Sequence, residues 1–372
     1  MNTTRCRLTW LLAIVLAVAC TPAADSSSPS PTPAPSLGPF PSQPADVPWP
    51  TTAWTVADIP AGVDEAAIDA AVEAAFNGGS DERVRAILVV HGGALVYERY
   101  SPNPADGPEV IAPSASLAKS VLSAFIGILV RDERIDVHAP APVPEWHAEA
   151  DDPRAEITVE DMLHMATGIP WIEDPTEPDS NLAQMYGVLD WAAYAASLDL
   201  VDPPGSVFDY SSGTATVLAR VFGEVVGSGP DETRAFMDRE LFDKIGMAPV
   251  ETQFDTAGTW LAAVSADATA RGFAKLGLLY VRGGAWDGEQ VLPAAWVNAT
   301  RTPSPANAEY GAFWWLDPTR PGVLLGDGAQ GQVIAVDPEH DLVVVQLGAN
   351  LGWDGDRPLV DLILDAFAAA PD

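Results

Sequence analysis

Apolar residues along the chain repeat at helical spacing in some stretches and cluster as in strands in others. An acidic first turn followed by spaced alanine and isoleucine predicts a helix over 64–76. Two β-rich runs, 84–91 and 94–100, are separated by Gly92-Gly93, which is typical of a hairpin. The stretch 116–131 is apolar on almost every side. We therefore expect its helix to lie in the middle of the protein.

The second half of the chain predicts a block of helices and then a return to strands. Residues from about 135 to 260 have mostly helical patterns, and 268–282 predicts a further amphipathic helix. Strands are expected over 309–316, 323–325, 332–336 and 342–347, and a terminal helix over 359–369. This order predicts an α+β fold: one antiparallel sheet flanked by helices, with a mostly helical second lobe over about 135–260.

The N-terminus has the pattern of an export signal. Two arginines precede the apolar run 8–19, which is too short to span a bilayer comfortably and predicts a signal peptide over 1–20. Ala17-Val18-Ala19-Cys20 resembles the lipobox of bacterial lipoproteins, which implies lipidation of Cys20 and a lipid anchor at the cell envelope. Ordinary cleavage near Ala24, giving a secreted protein, remains the alternative. A Pro/Ser-rich linker is predicted over 21–50 and the folded domain over 51–372.

Charge and composition exclude several classes of function. Lysine and arginine number 19 against 52 acidic residues, for a formal charge of −33, so binding to nucleic acid or to an anionic membrane surface is not expected. Cysteine occurs only at positions 6 and 20, and the five histidines show no paired spacing, so we predict no metal site. The glycine pattern over 326–331 precedes a strand rather than a helix, which excludes a dinucleotide site. No cofactor is predicted.

One arrangement carries chemistry: Ser116-Leu117-Ala118-Lys119 at the start of the central helix. A spacing of three places Ser116 and Lys119 on one helical face, and burial beside the serine would lower the pKa of the amine until it can accept the serine proton. The chain contains only three lysines, which makes the match notable. A solvated first-turn lysine beside an N-cap serine is the alternative at this point.

The Ser116-x-x-Lys119 pair resembles the first motif of the penicillin-recognising serine hydrolases, which include class C β-lactamases, DD-peptidases, family VIII carboxylesterases and 6-aminohexanoate-dimer hydrolases. Other segments are similar to family segments, in the family's order: 157–168, 204–212, 265–277 and 328–332. Two motifs depart from the pattern. Tyr210-Ser211-Ser212 replaces tyrosine-x-asparagine, and Ala329-Gln330-Gly331 replaces lysine-threonine-glycine. These departures place the chain nearest the 6-aminohexanoate-dimer hydrolase and family VIII esterase branch.

The resemblance implies a β-lactamase/transpeptidase-like fold and an acyl-enzyme mechanism on a small or peptide-like ester or amide. Ser116 would be the nucleophile, Lys119 its base and Tyr210 a proton relay. The N–H groups of Ser116 and Gln332 would form the oxyanion hole. Substrate-binding candidates are Ser212, Gln330, Gly331, Tyr310 and Trp314. A β-lactamase or DD-peptidase, and an inactive binding protein of the same fold, remain the alternatives.

Overall fold

The computed structural model describes residues 37–77, 83–227, 229–349 and 357–370. The predicted signal peptide, Cys20 and linker residues 21–36 lie outside the described residues. In the described parts of the chain, no helix has both the length and the apolar character needed to cross a membrane.

Residues 37–50, which we assigned to the linker, pack against the domain. The Phe40 ring contacts the core, and the Arg301 guanidinium lies over it at 4.2 Å from the ring centroid. Trp49 contacts Trp286 with ring centroids 5.0 Å apart. The assignment of the linker up to residue 50 was therefore wrong, because the aromatic residues in this Pro-rich run supply apolar surface for the domain to bury.

One six-stranded antiparallel sheet forms the centre of the fold, in the order β2 (Ala94–Tyr100), β1 (Arg83–His91), β10 (Leu342–Ala349), β9 (Gln332–Asp337), β8 (Leu324–Gly328), β7 (Trp315–Leu316). Strand β1 pairs with β10 from Val84 opposite Gly348 to His91 opposite Leu342, which joins the two ends of the chain in one sheet. The other strands of the described residues are short: β3 (Val250–Glu251), β4 (Asp267–Ala268), β5 (Ala285–Trp286) and β6 (Glu289–Gln290). Strands β3 and β4, and β5 and β6, form two-stranded sheets.

Helices cover both faces of the sheet, and the alternation of side chains in the strands explains why. The helices are α1 (Glu65–Phe76), α2 (Ala118–Arg131), α3 (Val159–Leu163), α4 (Asn181–Tyr186), α5 (Trp191–Ala196), α6 (Ser212–Val226), α7 (Pro230–Met237), α8 (Asp243–Ile245), α9 (Ala270–Val281), α10 (Ala294–Thr300) and α11 (Pro358–Ala368). In β1, Ile87 and Val89 face α1 and α11, whereas Leu88 and Val90 face the larger core around α2 and α9. The α+β fold with one antiparallel sheet is confirmed.

Two local predictions differ from the structure. The helix expected from residue 116 begins with a 3₁₀ turn, Ala115–Leu117, and α2 follows it. The strand expected over 309–316 was wrong for most of its length: Gly311 N donates to Trp314 O at 2.8 Å and Phe313 has a φ of +59°, so a tight turn precedes β7. The region from 135 to 260 contains α3 to α8, with long loops between α3 and α4 and between α5 and α6.

Candidate active site

The turn before α2 presents Ser116 at the edge of the sheet. Ala115, directly before it, has a left-handed φ of +46°, a conformation that costs a non-glycine residue about 1 kcal/mol or more. The buried Ser114 secures this turn: its N–H and hydroxyl donate to Asp267 Oδ1 at 2.9 and 3.1 Å, and its hydroxyl accepts from Ala266 N at 2.8 Å. The half-buried Ser116 hydroxyl therefore lies at the N-terminal end of the central helix in a fixed position.

Lys119 is fully enclosed, with 1% of its surface exposed. Its Nζ donates to Ser116 Oγ at 2.9 Å, to Ser212 Oγ at 3.2 Å and to the Ala263 carbonyl at 3.0 Å. Burial lowers the pKa of Lys119 from 10.5 to about 8, against the opposing effect of the Glu173 charge. The alternative of a solvated first-turn lysine is therefore wrong, and the amine is poised to exchange a proton with Ser116.

Tyr210 closes the site over Lys119. The amine lies 4.9 Å from the ring centroid, and the ring stacks on Trp315 with centroids 5.6 Å apart and an interplanar angle of 23°. Burial raises the pKa of Tyr210 well above its usual range, although a hydrogen bond with Ser116 opposes this shift. Tyr210 is therefore a neutral phenol at physiological pH, and the amine faces its ring while donating its hydrogen bonds to other groups.

Ser212 connects the amine to a carboxylate that the sequence analysis did not identify. Ser212 N donates to Glu173 Oε2 at 2.9 Å, and the Ser212 hydroxyl donates to Glu173 Oε1. The Trp171 indole N–H also donates to Glu173 Oε2. Glu173 was missed because one acidic residue among 52 has no distinguishing pattern. The sequence around residue 173 gave no other signal.

The β8–β9 connection forms the other wall of the site. A Cβ added to Gly328 would lie 2.5 Å from Ser114 O and 3.1 Å from Leu117 N, so only glycine lets β8 approach the Ser116 turn this closely. The buried Gln332 secures the connection, because its Nε2 donates to Gly348 O at 3.1 Å and to Gln330 O at 3.3 Å. Gln330 and Gly331 occupy the tight turn itself, with φ values of +67° and +84°.

Two predicted substrate contacts lie behind the site rather than in it. Trp314 is fully buried, with its ring 4.6 Å from that of Tyr280, and the prediction that it contacts substrate was wrong. Tyr310 is 1% exposed and packs edge-on against Tyr210 and Trp315 at 6.2 and 4.8 Å, so it supports these rings from behind. Trp315, which follows Trp314 in the chain, is partly exposed and lies against Tyr210.

The site draws its polar groups from serine, lysine, tyrosine and a carboxylate. Over the described ranges, no three histidine, cysteine or carboxylate side chains gather as a metal ion would require. The site contains the buried Lys119 amine, the Ser116 hydroxyl within hydrogen-bond distance of it and the neutral Tyr210 phenol in contact with both. Together these groups can activate the serine hydroxyl for attack on a carbonyl carbon.

Comparison with known proteins agrees with this chemistry. A family model described as Beta-lactamase matches residues 70–366, and the chain therefore belongs to the beta-lactamase family. It is a serine hydrolase of that family, as its motifs implied. A 6-aminohexanoate-dimer hydrolase of Paenarthrobacter ureafaciens is 26% identical over 290 residues, covering 71% of this chain and 72% of the relative.

Solved structures show the same fold. A family VIII carboxylesterase superposes with a TM-score of 0.64 at 15% identity, covering 84% of this chain and 98% of the other. A penicillin-binding protein homologue of Caulobacter crescentus gives a TM-score of 0.63 at 19% identity, covering 84% and 99%. At these identities the likeness establishes the architecture, and the substrate has to be argued from the site.

Proposed function

We propose that the protein is an exported serine hydrolase that cleaves an ester or a linear amide through an acyl-enzyme on Ser116. One observation carries the proposal: the Lys119 amine lies 2.9 Å from the Ser116 hydroxyl in a site whose burial lowers the pKa of the amine to about 8. Because one pH unit is a factor of ten, about a tenth of the amines are neutral at pH 7 and can accept the serine proton.

The proposed mechanism uses the three groups in turn. Ser116 Oγ attacks the carbonyl carbon while its proton passes to Lys119, and the carbonyl oxygen becomes an oxyanion held by the N–H groups of Ser116 and Gln332. Lys119 then returns that proton to the departing alcohol or amine, with the Tyr210 phenol, which is hydrogen-bonded to Ser116, as the relay. A water molecule then attacks the acyl-enzyme, with the same groups taking up its proton and returning one to Ser116.

The substrate class follows from what the site contains and what it lacks. Ala329-Gln330-Gly331 offers no cation where the family's third motif would bind a carboxylate, and the chain carries a formal charge of −33. Tyr210 and Trp315 offer an aromatic wall. These features favour an acyl group without a carboxylate. The names of its relatives, a 6-aminohexanoate-dimer hydrolase and a carboxylesterase, are in keeping with an amide or an ester as the bond cleaved.

Turnover of three probes tests the proposal. We expect wild-type protein to hydrolyse a p-nitrophenyl ester or a linear amide with a transient acyl adduct by intact mass, and Ser116→Ala to lose both turnover and adduct. Efficient turnover of a chromogenic cephalosporin would support a β-lactamase instead. Absence of turnover and adduct with all three probes would support an inactive binding protein of this fold.

Export and lipid anchoring form the remaining part of the proposal, and they depend on the sequence of residues 1–20. We expect the wild-type protein to partition with the envelope membrane fraction of a bacterial host and to gain a lipid mass at Cys20. The Cys20→Ala variant should remain soluble or uncleaved. Recovery of unmodified wild-type protein as a free secreted form would contradict the anchor but leave the export signal in place.

A further inference from the structure

A second hydroxyl fixes the position of the amine. Ser212 Oγ accepts a hydrogen bond from Lys119 Nζ at 3.2 Å and donates its own hydrogen to Glu173 Oε1. Since a serine hydroxyl has one hydrogen, its donation to the carboxylate turns its lone pairs toward the amine. The direction of each hydrogen bond in the series Glu173–Ser212–Lys119 is thereby determined.

The carboxylate at the end of this series is itself held in place. Glu173 Oε2 accepts from the backbone N–H of Ser212 at 2.9 Å and from the indole N–H of Trp171, whose own backbone N–H donates to Asp209 Oδ2 at 2.8 Å. Ser212 is the first residue of α6, so the carboxylate lies at a helix N-terminus, where the helix dipole favours negative charge. Glu173 therefore has three donors, and one of them is the hydroxyl that contacts the amine.

We propose that Glu173 is a positioning residue: through Ser212 it orients the Lys119 amine toward Ser116 and places a negative charge one hydroxyl away from that amine. This inference rests on the proposed function, in which Lys119 is the base, but it concerns a residue that the motifs do not include.

Among the groups around Lys119, Glu173 is the one whose charge acts on the amine. Ser116 faces the amine from the turn before α2, the Ala263 carbonyl from the loop before β4, and the neutral Tyr210 from the segment before α6. The other nearby carboxylates act elsewhere: Asp267 binds Ser114, Asp209 binds Trp171 and Asp327 acts on Tyr210. The Glu173 charge raises the pKa of Lys119 against the effect of burial.

The three lysines of the chain allow the amine to be observed directly, without turnover. In protein labelled with carbon-13 at lysine Cε, the Lys119 resonance is assigned with Lys119→Met and titrated by NMR. We expect a midpoint near 8 in the wild type and a midpoint lower by about one pH unit in Glu173→Gln. Glu177→Gln, which neutralises an exposed carboxylate of the same loop, should leave the midpoint unchanged. Equal midpoints in wild type and Glu173→Gln would overturn the proposal.

Kinetics provide a second, independent readout. The acid limb of the kcat/KM–pH profile for the ester should move to lower pH in Glu173→Gln by the same amount as the NMR midpoint. Its kcat should fall at least tenfold with little change in KM. Glu173→Asp, which keeps the charge, should restore the midpoint toward that of the wild type.

A double variant tests whether Glu173 acts through Ser212. Adding Glu173→Gln to Ser212→Ala should lower kcat little further than Ser212→Ala alone, because both residues act through one hydrogen-bond series. Fully multiplicative effects would contradict this coupling.

The two proposals fail in different ways. An inactive wild type whose Lys119 midpoint still drops in Glu173→Gln would refute the proposed function and support the role of Glu173. An active wild type whose midpoint and pH profile do not change in Glu173→Gln would refute the role of Glu173 alone. Circular dichroism and the Glu173→Asp variant separate either outcome from simple unfolding.

Discussion

At the scale of single residues, the site holds a buried amine at a cost in stability. Burial lowers the pKa of Lys119 from 10.5 to about 8, which corresponds to about 3 kcal/mol of lost preference for the charged form. The folded state therefore binds fewer protons than the unfolded state between these values, and the stability of the wild type should rise with pH across that window.

Replacing this amine should stabilise the protein while removing its activity. We expect Lys119→Met to raise the free energy of unfolding at pH 7 by about 1–2 kcal/mol, since the desolvation cost is relieved but three hydrogen bonds are lost. The gain should shrink as the pH rises from 8 toward 10.5. Urea denaturation at several pH values measures it, with Lys244→Met, a partly exposed ion-paired lysine, as the control. A destabilised Lys119→Met variant at pH 7 would contradict this account.

The residues of the site were predictable to different degrees. Ser116, Lys119 and Tyr210 are separated in the chain but stand in recognisable motifs, and the structure brings them together. Trp314 was predicted as the substrate contact, whereas it is Trp315 that lies against Tyr210. In a strand, a shift of one residue exchanges the two faces, and the turn at Phe313 determines which indole lies against Tyr210.

At the scale of elements, the close approach of β8 to the turn before α2 shapes the site. We expect Gly328→Ala to lower the free energy of unfolding by about 1–3 kcal/mol, because the new methyl group would meet backbone atoms of Ser114 and Leu117, which cannot rotate away. Ester hydrolysis should fall as the two walls separate. Gly107→Ala, whose methyl group would meet no atom closer than 4.0 Å, is the matched control. Equal stability and activity of both variants would show that β8 is not pressed against the turn.

The elements themselves follow the sequence pattern where one period dominates. Strands β1, β9 and β10 consist of nearly continuous apolar residues and were predicted to within a few residues. The long loops between α3 and α6 were not predictable, because hydrogen bonds between distant residues hold them. Glu173 is a member of one such loop, which explains why no local pattern identified it.

At the scale of the whole molecule, the charge of −33 should act on substrate choice. We expect kcat/KM for the p-nitrophenyl monoester of glutarate to be about tenfold lower at low salt than that for p-nitrophenyl pentanoate, an uncharged ester of the same chain length. Added sodium chloride should narrow the difference by screening the carboxylate from the protein's negative field. Steady-state assays across ionic strength measure this ratio, and a preference for the anionic ester would contradict the proposed substrate class.

The overall architecture was the most predictable property of the chain. Strands at both ends of the chain implied a single sheet, and β1 paired with β10 confirms it. The start of the domain was less accessible to prediction, since a proline-rich composition indicates an extended chain but does not show that Phe40 and Trp49 find apolar partners.

Trapping the acyl-enzyme tests the central claim most directly. Wild-type protein is mixed with a slowly deacylated p-nitrophenyl ester, quenched in acid within milliseconds and mapped by peptide mass spectrometry. We predict one acyl group on Ser116, which is absent from Ser116→Ala and forms at a rate that rises with pH through a midpoint near 8. An acyl group on another residue, or undiminished ester hydrolysis by Ser116→Ala, would contradict the claim.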